Sequence, residues 1–399
     1  MPFNQQILGI DCGHSKHRIY QGQQMLLVGR DGNCSNITIG VALVNAEDIV
    51  NYTWFVECLK EAGLNMSDYP VFCDRSDYFR SVAKTFDINT RYCTLHITRN
   101  LLRNNRFTHA HKNFIWELQE CKWEALYEGQ LVLLGKDCGK EVEEIVRAIP
   151  PERWILYTAI GQTPLYGWRS TNFVESVNAT TLVNKLREKA PFEFLDGVLE
   201  SMANALYKRQ CNSANWLKAK REVTPGAEEL YEEQLREMGN YKVVVTIKDK
   251  QASVSRVGRL PPFRRTVDLE GNRCTCALMD QYQIPCKHLI AVLSHVGQLD
   301  SVFSRFGACY KVSNYSTVFG DAAVEIPATS ELAKSCLLPA KRKEVRQGRS
   351  RKKRIPSAGE SRPTRMQKCA NCGTSGHNRK TCKSGPGPVA VVSSTTPSS

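Results

Sequence analysis

QILGIDCGHSKHRIYQGQQMLLVGRDGNCSNITIGVALV, residues 6–44, carries three apolar runs separated by turn residues. QILGID (6–11), QMLLVG (24–29) and NITIGVALV (36–44) are short and rich in Ile, Leu and Val. They read as three successive strands. From Asp48, a good N-cap, apolar residues recur at Tyr52, Phe55 and Leu59 before Gly63, a helical period with its start and stop. PVFCD (70–74) is a further short strand, a helix is expected over 76–86, and a strand follows near NTRYCTL (89–95). Three strands, a helix, a strand, a helix and a strand is an α/β order.

Residues 98–170 read mainly as helix and loop, with Trp116, Trp123 and Trp154 as expected core. Residues 171–240 are mostly helical, interrupted at Pro191 and at Pro225-Gly226. KVVVTIK and ASVSRVG return to strand patterning and open a small second unit running to about residue 320. Beyond it the Lys/Arg-rich stretch and its Ser/Pro-rich flanks cannot bury a core, so disorder is expected there and in the last sixteen residues. The domain boundaries on this reading are 1–190 for the α/β core with a helical insertion at about 98–170, then 191–240 for a helical connector. A second module spans 241–320, a basic linker 321–367, a cysteine-rich module 368–383 and a tail 384–399.

The chain has 399 residues, 42% of them hydrophobic, and no apolar run near the ~20 residues a membrane span needs. Its start lacks a basic region followed by an apolar stretch, so no secretory signal is expected. The sixteen cysteines then belong in a reducing compartment, as thiols or metal ligands rather than disulfides. The net charge of +14 is uneven: residues 339–383 hold fifteen Lys or Arg against two Glu, leaving about +1 elsewhere. Lys341, Arg342, Lys343, Arg346, Arg349, Arg351, Lys352, Lys353 and Arg354 form the densest part, expected to attract nucleic acid and to act as a nuclear import signal.

CANCGTSGHNRKTC presents Cys369, Cys372, His377 and Cys382 as C-x2-C-x4-H-x4-C. Three thiolates and one imidazole complete the tetrahedral shell zinc prefers in structural sites. The array resembles the CCHC zinc knuckle of retroviral nucleocapsid type, a module that contacts single-stranded nucleic acid, RNA included. No aromatic residue lies between Cys369 and Cys382, so contact is expected chiefly through Arg379, Lys380 and Lys383. CTCALMDQYQIPCKH supplies a second set, Cys274, Cys276, Cys286 and His288, between strand patterning and the apolar helix HLIAVLSHV. It resembles the SWIM zinc finger, C-x-C-x(n)-C-x-H, associated with DNA binding or protein contacts. Two structural Zn²⁺ sites are expected.

Asp11 and Asp74 each follow an apolar run and are expected at the C-terminal ends of strands. Carboxylates side by side there can hold two divalent cations roughly 3.5–4 Å apart for phosphoryl transfer. A third acid is offered by STNFVESVNATTL, where Asn172, Glu175, Asn178 and Leu182 share one helical face. On chemistry alone the forty acidic residues offer many such triples, most of them solvated.

The stretches DCGHSKHRIYQGQQMLLVGRDGN, VALVNAEDIVNYTWFVECL, FCDRSDYF and YCTLHITRN together resemble the catalytic core of Mutator-like element transposases. Asp11 with His14 and Lys16, Asp31 after its Leu pair, Glu47 with Trp54 and Phe55, Asp74 with Arg75, and the C-x2-H pair Cys93/His96 fall in that family's order. Glu175 in TNFVESVN matches its third acid, a SWIM finger follows the core there too, and the resemblance spans residues 5 to about 295. It implies a ribonuclease-H-like fold, an Asp, Asp, Glu triad holding Mg²⁺ or Mn²⁺, DNA as substrate, and nuclear localisation; homo-oligomerisation is compatible with it. The family carries a DNA-binding module ahead of the first catalytic strand, whereas this chain starts a few residues before that strand. End recognition is therefore expected to be lost, supplied by a partner, or encoded upstream. The alternative is a catalytically inactive, transposase-derived zinc-finger regulator, like the far-red-impaired-response proteins of plants.

Overall fold

The computed structural model describes residues 3–332 together with Lys341, Cys369 and Cys372. The 384–399 tail and most of the 333–383 region, including His377, Cys382, Arg379, Lys380 and the basic run after Lys341, lie outside the described residues. Contacts divide the chain into one unit over Met1–Arg342 and another over Lys343–Ser399. No helix among the described residues is long and apolar enough to cross a membrane.

Strands β1 (Gln5–His14), β2 (Gln23–Arg30), β3 (Asn36–Val44), β4 (Val71–Cys73) and β5 (Thr90–Tyr92) form one mixed sheet in the order β3-β2-β1-β4-β5. The first three pair antiparallel, and β4 and β5 add parallel to β1. Both faces of this sheet are covered, which is why its strands read as near-continuous apolar runs. Side-chain alternation sends Leu8, Ile10, Met25 and Leu27 to one face and Ile7, Leu26, Val28 and Phe72 to the other.

The first face shares one buried cluster with α1 (Ile49–Glu61), α2 (Asp77–Thr85), α3 (Thr94–Leu101), α4 (Lys112–Gln119), α5 (Glu124–Cys138) and α6 (Lys140–Arg147). Asp48 caps α1 by accepting from the Asn51 amide at 2.9 Å, and Gly63 follows it at φ +86°. Trp154 is core as expected, but Trp123 is 47% exposed and Trp116 only half-buried. Trp123 precedes α5 in extended conformation and its ring stays outside; the helix is anchored instead by Tyr127, Leu131 and Leu134, one helical face. The strand expected near residues 89–95 stops at Tyr92. Thr94, Ile97, Thr98 and Leu101 repeat at helical spacing and are buried on α3.

The second face receives α7 (Asn172–Val183), followed by α8 (Pro191–Lys218) and α9 (Pro225–Glu237). Pro191 and Pro225 each stand at the first helical position, where a missing N–H is harmless. A second, antiparallel sheet, β6 (Tyr241–Ile247), β7 (Gln251–Arg256), β8 (Arg264–Asp268) and β9 (Arg273–Cys274), is followed by α10 (Leu278–Tyr282), α11 (Lys287–His295) and α12 (Val312–Phe319). From this part of the chain, Val254 and Val267 of the sheet, Leu289 of α11 and Tyr310 join Ile7, Phe72 and Phe173 in one continuous cluster. Backbone contact is close as well: a Cβ added to Gly32 would meet the Cys309 carbonyl oxygen.

Candidate catalytic and metal centres

Asp11 is not at the end of its strand, because β1 runs on to His14 while pairing with β2. Its position is nevertheless set by β4. Leu8 and Gly9 pair with Val71 and Phe72 in parallel register, so Asp11 within β1 and Asp74 just past β4, each two residues beyond the Gly9–Phe72 pair, stand level. β4 ends at Cys73, and Asp74 Oδ1 then accepts from the Ser76 amide at 2.8 Å, which fixes the turn into α2.

Helix α7 lies across the same end of the sheet. Its seat depends on Gly9: a Cβ there would come within 2.5 Å of Phe173 Cζ and of Val174 Cγ2. From α7, Asn178 Nδ2 donates to Asp11 Oδ2 at 2.6 Å. Asn178 is itself held by Gln24 on β2, whose Nε2 donates to Asn178 Oδ1 at 2.5 Å. One turn earlier, Glu175 accepts from Arg99 Nη1 at 3.1 Å and Nη2 at 3.4 Å, with His96 Nε2 3.9 Å away. Of the expected helix face, Glu175 and Asn178 reach the site, while Asn172 at its start is exposed.

The three acids share one electrostatic environment. Burial is the main cause that pushes Asp11 up to about 7, with Glu175 and Asp74 adding to it while His96 and the Asn178 hydrogen bond oppose it. A carboxylate desolvated beside two others is a donor set suited to a divalent cation. The oxygens are spread, however. Among the described residues, Cys274, Cys276, Cys286 and His288 alone form a set of three or more ligand atoms lying within 4.8 Å of one another.

Cys93 and His96 sit at the start of α3, on the edge of this cluster. Burial alone would raise the Cys93 thiol, but its hydrogen bond to His96, the charge of His96 and hydrogen bonds from Thr171 outweigh burial and hold it below its ordinary value. The Thr171 amide and hydroxyl both lie 3.3 Å from Cys93 Sγ, which ties α3 to the start of α7. The pair therefore joins the element bearing Arg99 to the one bearing Glu175. Arg99 was not legible as a site residue, since nothing in a single Arg on a helix announces its partner 76 residues away.

The second centre is compact. β9 delivers Cys274, the turn through Ala277 at φ +61° brings Cys276 alongside, and Cys286 and His288 come from the start of α11. Cys274 Sγ and His288 Nδ1 are 3.7 Å apart. Hydrogen bonds from Cys274 and Cys286 hold the Cys276 thiol well below its ordinary value against the opposing effect of burial, the direction that metal ligation requires. Three buried donors and the half-buried Cys274, an S₃N set, fit structural zinc in this arrangement. Of the C-terminal set, Cys369 is buried and Cys372 half-buried; His377 and Cys382 lie outside the described residues.

Beside the four ligands opens a cavity of about 340 Å³ lined by Lys122, Arg256, Arg259, Arg265 and Lys287 with Phe263. The guanidinium of Arg265 stands 4.4 Å from the centre of the Phe263 ring. The run RVGRLPPFRR (256–265) carried this signal in the sequence, four arginines around an aromatic residue, but a whole-body charge near zero concealed it.

Residues 263–297 match the family model of the SWIM zinc finger. That span contains all four ligands of the compact centre, β8, β9, α10 and α11. The match covers the SWIM finger alone and says nothing of the five-stranded sheet. No curated protein matches the chain. Among solved structures, one similar chain is the HTLV-2 integrase catalytic core domain in complex with magnesium, 13% identical, covering 31% of this chain and 91% of that one at a TM-score of 0.18. Another belongs to a simian T-cell lymphotropic virus intasome in complex with PP2A regulatory subunit B56 gamma, 9% identical, covering 42% of this chain and 52% of that one at a TM-score of 0.19.

Proposed function

We propose that the chain is a DNA transposase of the Mutator-like class, with a ribonuclease-H-like core over residues 1–190, the SWIM module at 241–320 and the zinc knuckle at 368–383. The observation that supports the reading is the level register of Asp11 on β1 and Asp74 just past the parallel strand β4, with α7 adding Glu175 to their electrostatic environment. In this reading the three carboxylates hold Mg²⁺ or Mn²⁺, which supply the positive charge that orients and stabilises the oxygens of a strand-transfer reaction. The chain's own residues position. Asn178 orients Asp11, the Ser76 amide orients Asp74, and Arg99 holds Glu175 until it engages. Water and then a DNA 3′-hydroxyl serve as nucleophile. The basic cavity of the SWIM finger and the 341–354 run supply phosphate contacts, the knuckle adds single-stranded nucleic acid, and the run directs the chain to the nucleus. A reporter fused to residues 341–354 that stays cytoplasmic counts against the last point.

The test is Mg²⁺- or Mn²⁺-dependent nicking of duplex DNA. Asp11→Asn, Asp74→Asn and Glu175→Gln should each abolish it with zinc content unchanged. Because the three act as a unit, the triple variant should be scarcely worse than any single one. Nicking that survives all three changes places the chemistry elsewhere.

The bidentate hold of Arg99 on Glu175 favours a second reading, the transposase-derived regulator without catalysis. Mn²⁺ separates the two: it should raise the melting temperature of the zinc-loaded chain and leave Asp11→Asn unmoved. No Mn²⁺ response in either protein supports the regulator.

A further inference from the structure

The β1–β2 loop, the start of α1 and the turn before α8 enclose a cavity of about 620 Å³, which has no part in the triad. Its walls carry three kinds of group. Trp54, 47% exposed, and Phe194 offer ring surface, and Arg187 and Lys189 offer positive charge. Gln24 offers an acceptor: it is 2% exposed, both bonds of its Nε2 are made inward to α7, and its Oε1 is buried with no hydrogen-bond partner. A buried carbonyl oxygen left without a donor is costly and calls for a ligand N–H.

The cavity adjoins the carboxylates. Gln24 is bonded to Asn178, and Asn178 to Asp11, so a single residue separates the cavity wall from the first acid. Gly13, two residues past Asp11, also lines it, and a Cβ there would stand 2.9 Å from Asn178 Oδ1 and 3.2 Å from Arg187 Cζ. Lys341, which opens the 341–354 basic run, forms an antiparallel bridge with Tyr20 on the rim.

We infer that the cavity takes one unpaired nucleotide of the DNA strand being processed, its base against Trp54 with an amino or imino N–H toward Gln24 Oε1, and its phosphate at Arg187 and Lys189. This rests on the reading of the chain as a DNA-processing protein, and it makes the cavity the place where a strand end unstacked from the duplex is held beside Asp11. Aromatic stacking is tolerant of sequence, so the site selects an unpaired base rather than a particular one.

The test uses the full zinc-loaded chain carrying Asp74→Asn, which keeps DNA intact. The probe is a duplex with a three-nucleotide single-stranded overhang, 2-aminopurine standing at each overhang position in turn. Binding should quench the 2-aminopurine at one position. Trp54→Ala should weaken binding about tenfold and remove the quench, and Trp54→Phe should restore most of both. Lys189→Ala should lower the salt slope by about one. An overhang abasic at that position should bind equally well to the chain that keeps Trp54 and to the Trp54→Ala variant. Equal binding and quenching in Trp54→Ala, or equal sensitivity of abasic and base-bearing overhangs to that change, overturns the inference, as does failure of the Asp74→Asn chain to bind the probe. Since binding is read without cleavage, an inactive triad leaves this result untouched, and a negative result here leaves the triad standing.

Discussion

Asp11 stands at the centre of the proposed chemistry, and its protonation couples to stability. Its carboxyl is raised from 3.8 to about 7, chiefly by burial. Between those values the folded chain keeps a proton that the unfolded chain has released. The stabilisation is complete below about pH 4 and is lost as pH rises through 7. The loss is about 4 kcal/mol at most, an upper bound because Asp11 keeps part of its surface in solvent. Urea unfolding of the zinc-loaded, magnesium-free chain should show stability falling from pH 5 to pH 8, and Asp11→Asn should flatten that fall. Parallel pH curves for the two proteins would remove Asp11 as the cause. The zinc ligands make a separate residue-scale prediction. Reloaded protein should hold about two equivalents of zinc, and Cys286→Ser and Cys372→Ser should each remove one. Structural zinc contributes on the order of 10–16 kcal/mol of apparent binding free energy in finger peptides, so each loss should unfold its own module. Metal content near zero after reloading under reducing conditions would falsify the two-site reading.

At the scale of elements, the contact of β1 with α7 decides whether three distant acids meet. Gly9 is the hinge of that contact, since α7 approaches too closely for any side chain there. Gly9→Ala should destabilise the chain by about 1–3 kcal/mol, the range for overpacking, and should displace Glu175 and Asn178 together. It should therefore lower divalent-cation affinity with every acid still present. Wild-type stability in Gly9→Ala would show that α7 is free to shift. Elements also show where local reading reached its limit. The helix α1 was legible with its cap, its buried face and its terminal glycine, because all of these are local signals. The strand expected around 89–95 was cut short because a helical repeat begins at Thr94, and the two periods overlap within a few residues. Trp123 misled for a related reason: ring size argues for burial, but the helix it precedes had already found its core in Tyr127, Leu131 and Leu134.

For the whole molecule, the proposed binding of DNA rests on charge. The 339–383 segment holds nearly all the net charge, so deleting residues 339–399 should strongly flatten the dependence of DNA affinity on salt. Each lost phosphate contact changes the slope by about 0.9. The flattening should be incomplete, because Arg256, Arg259, Arg265 and Lys287 form a cationic wall on the SWIM finger despite a body near neutrality. Arg259→Ala with Arg265→Ala in the shortened chain should remove most of what remains. An unchanged slope after the deletion would instead move the main binding surface onto the folded body.

Metal-ligand spacing, strand and helix periods and the charge run belong to the sequence by itself, for each is expressed within a few tens of residues. The SWIM ligand set could be named before any fold was known, since Cys274, Cys276, Cys286 and His288 span only fifteen positions and their chemistry leaves few alternatives. The acids are different. That Asp11 and Asp74 stand level is decided by the β1–β4 register, and that Glu175 is held by Arg99 is decided by how α3 and α7 cross. The cavity bounded by Trp54, Gln24 and Lys189 joins residues from three separate stretches. Such pairings depend on long-range packing of both sheet faces, and periodicity in one strand carries no information about which strand or helix will lie beside it.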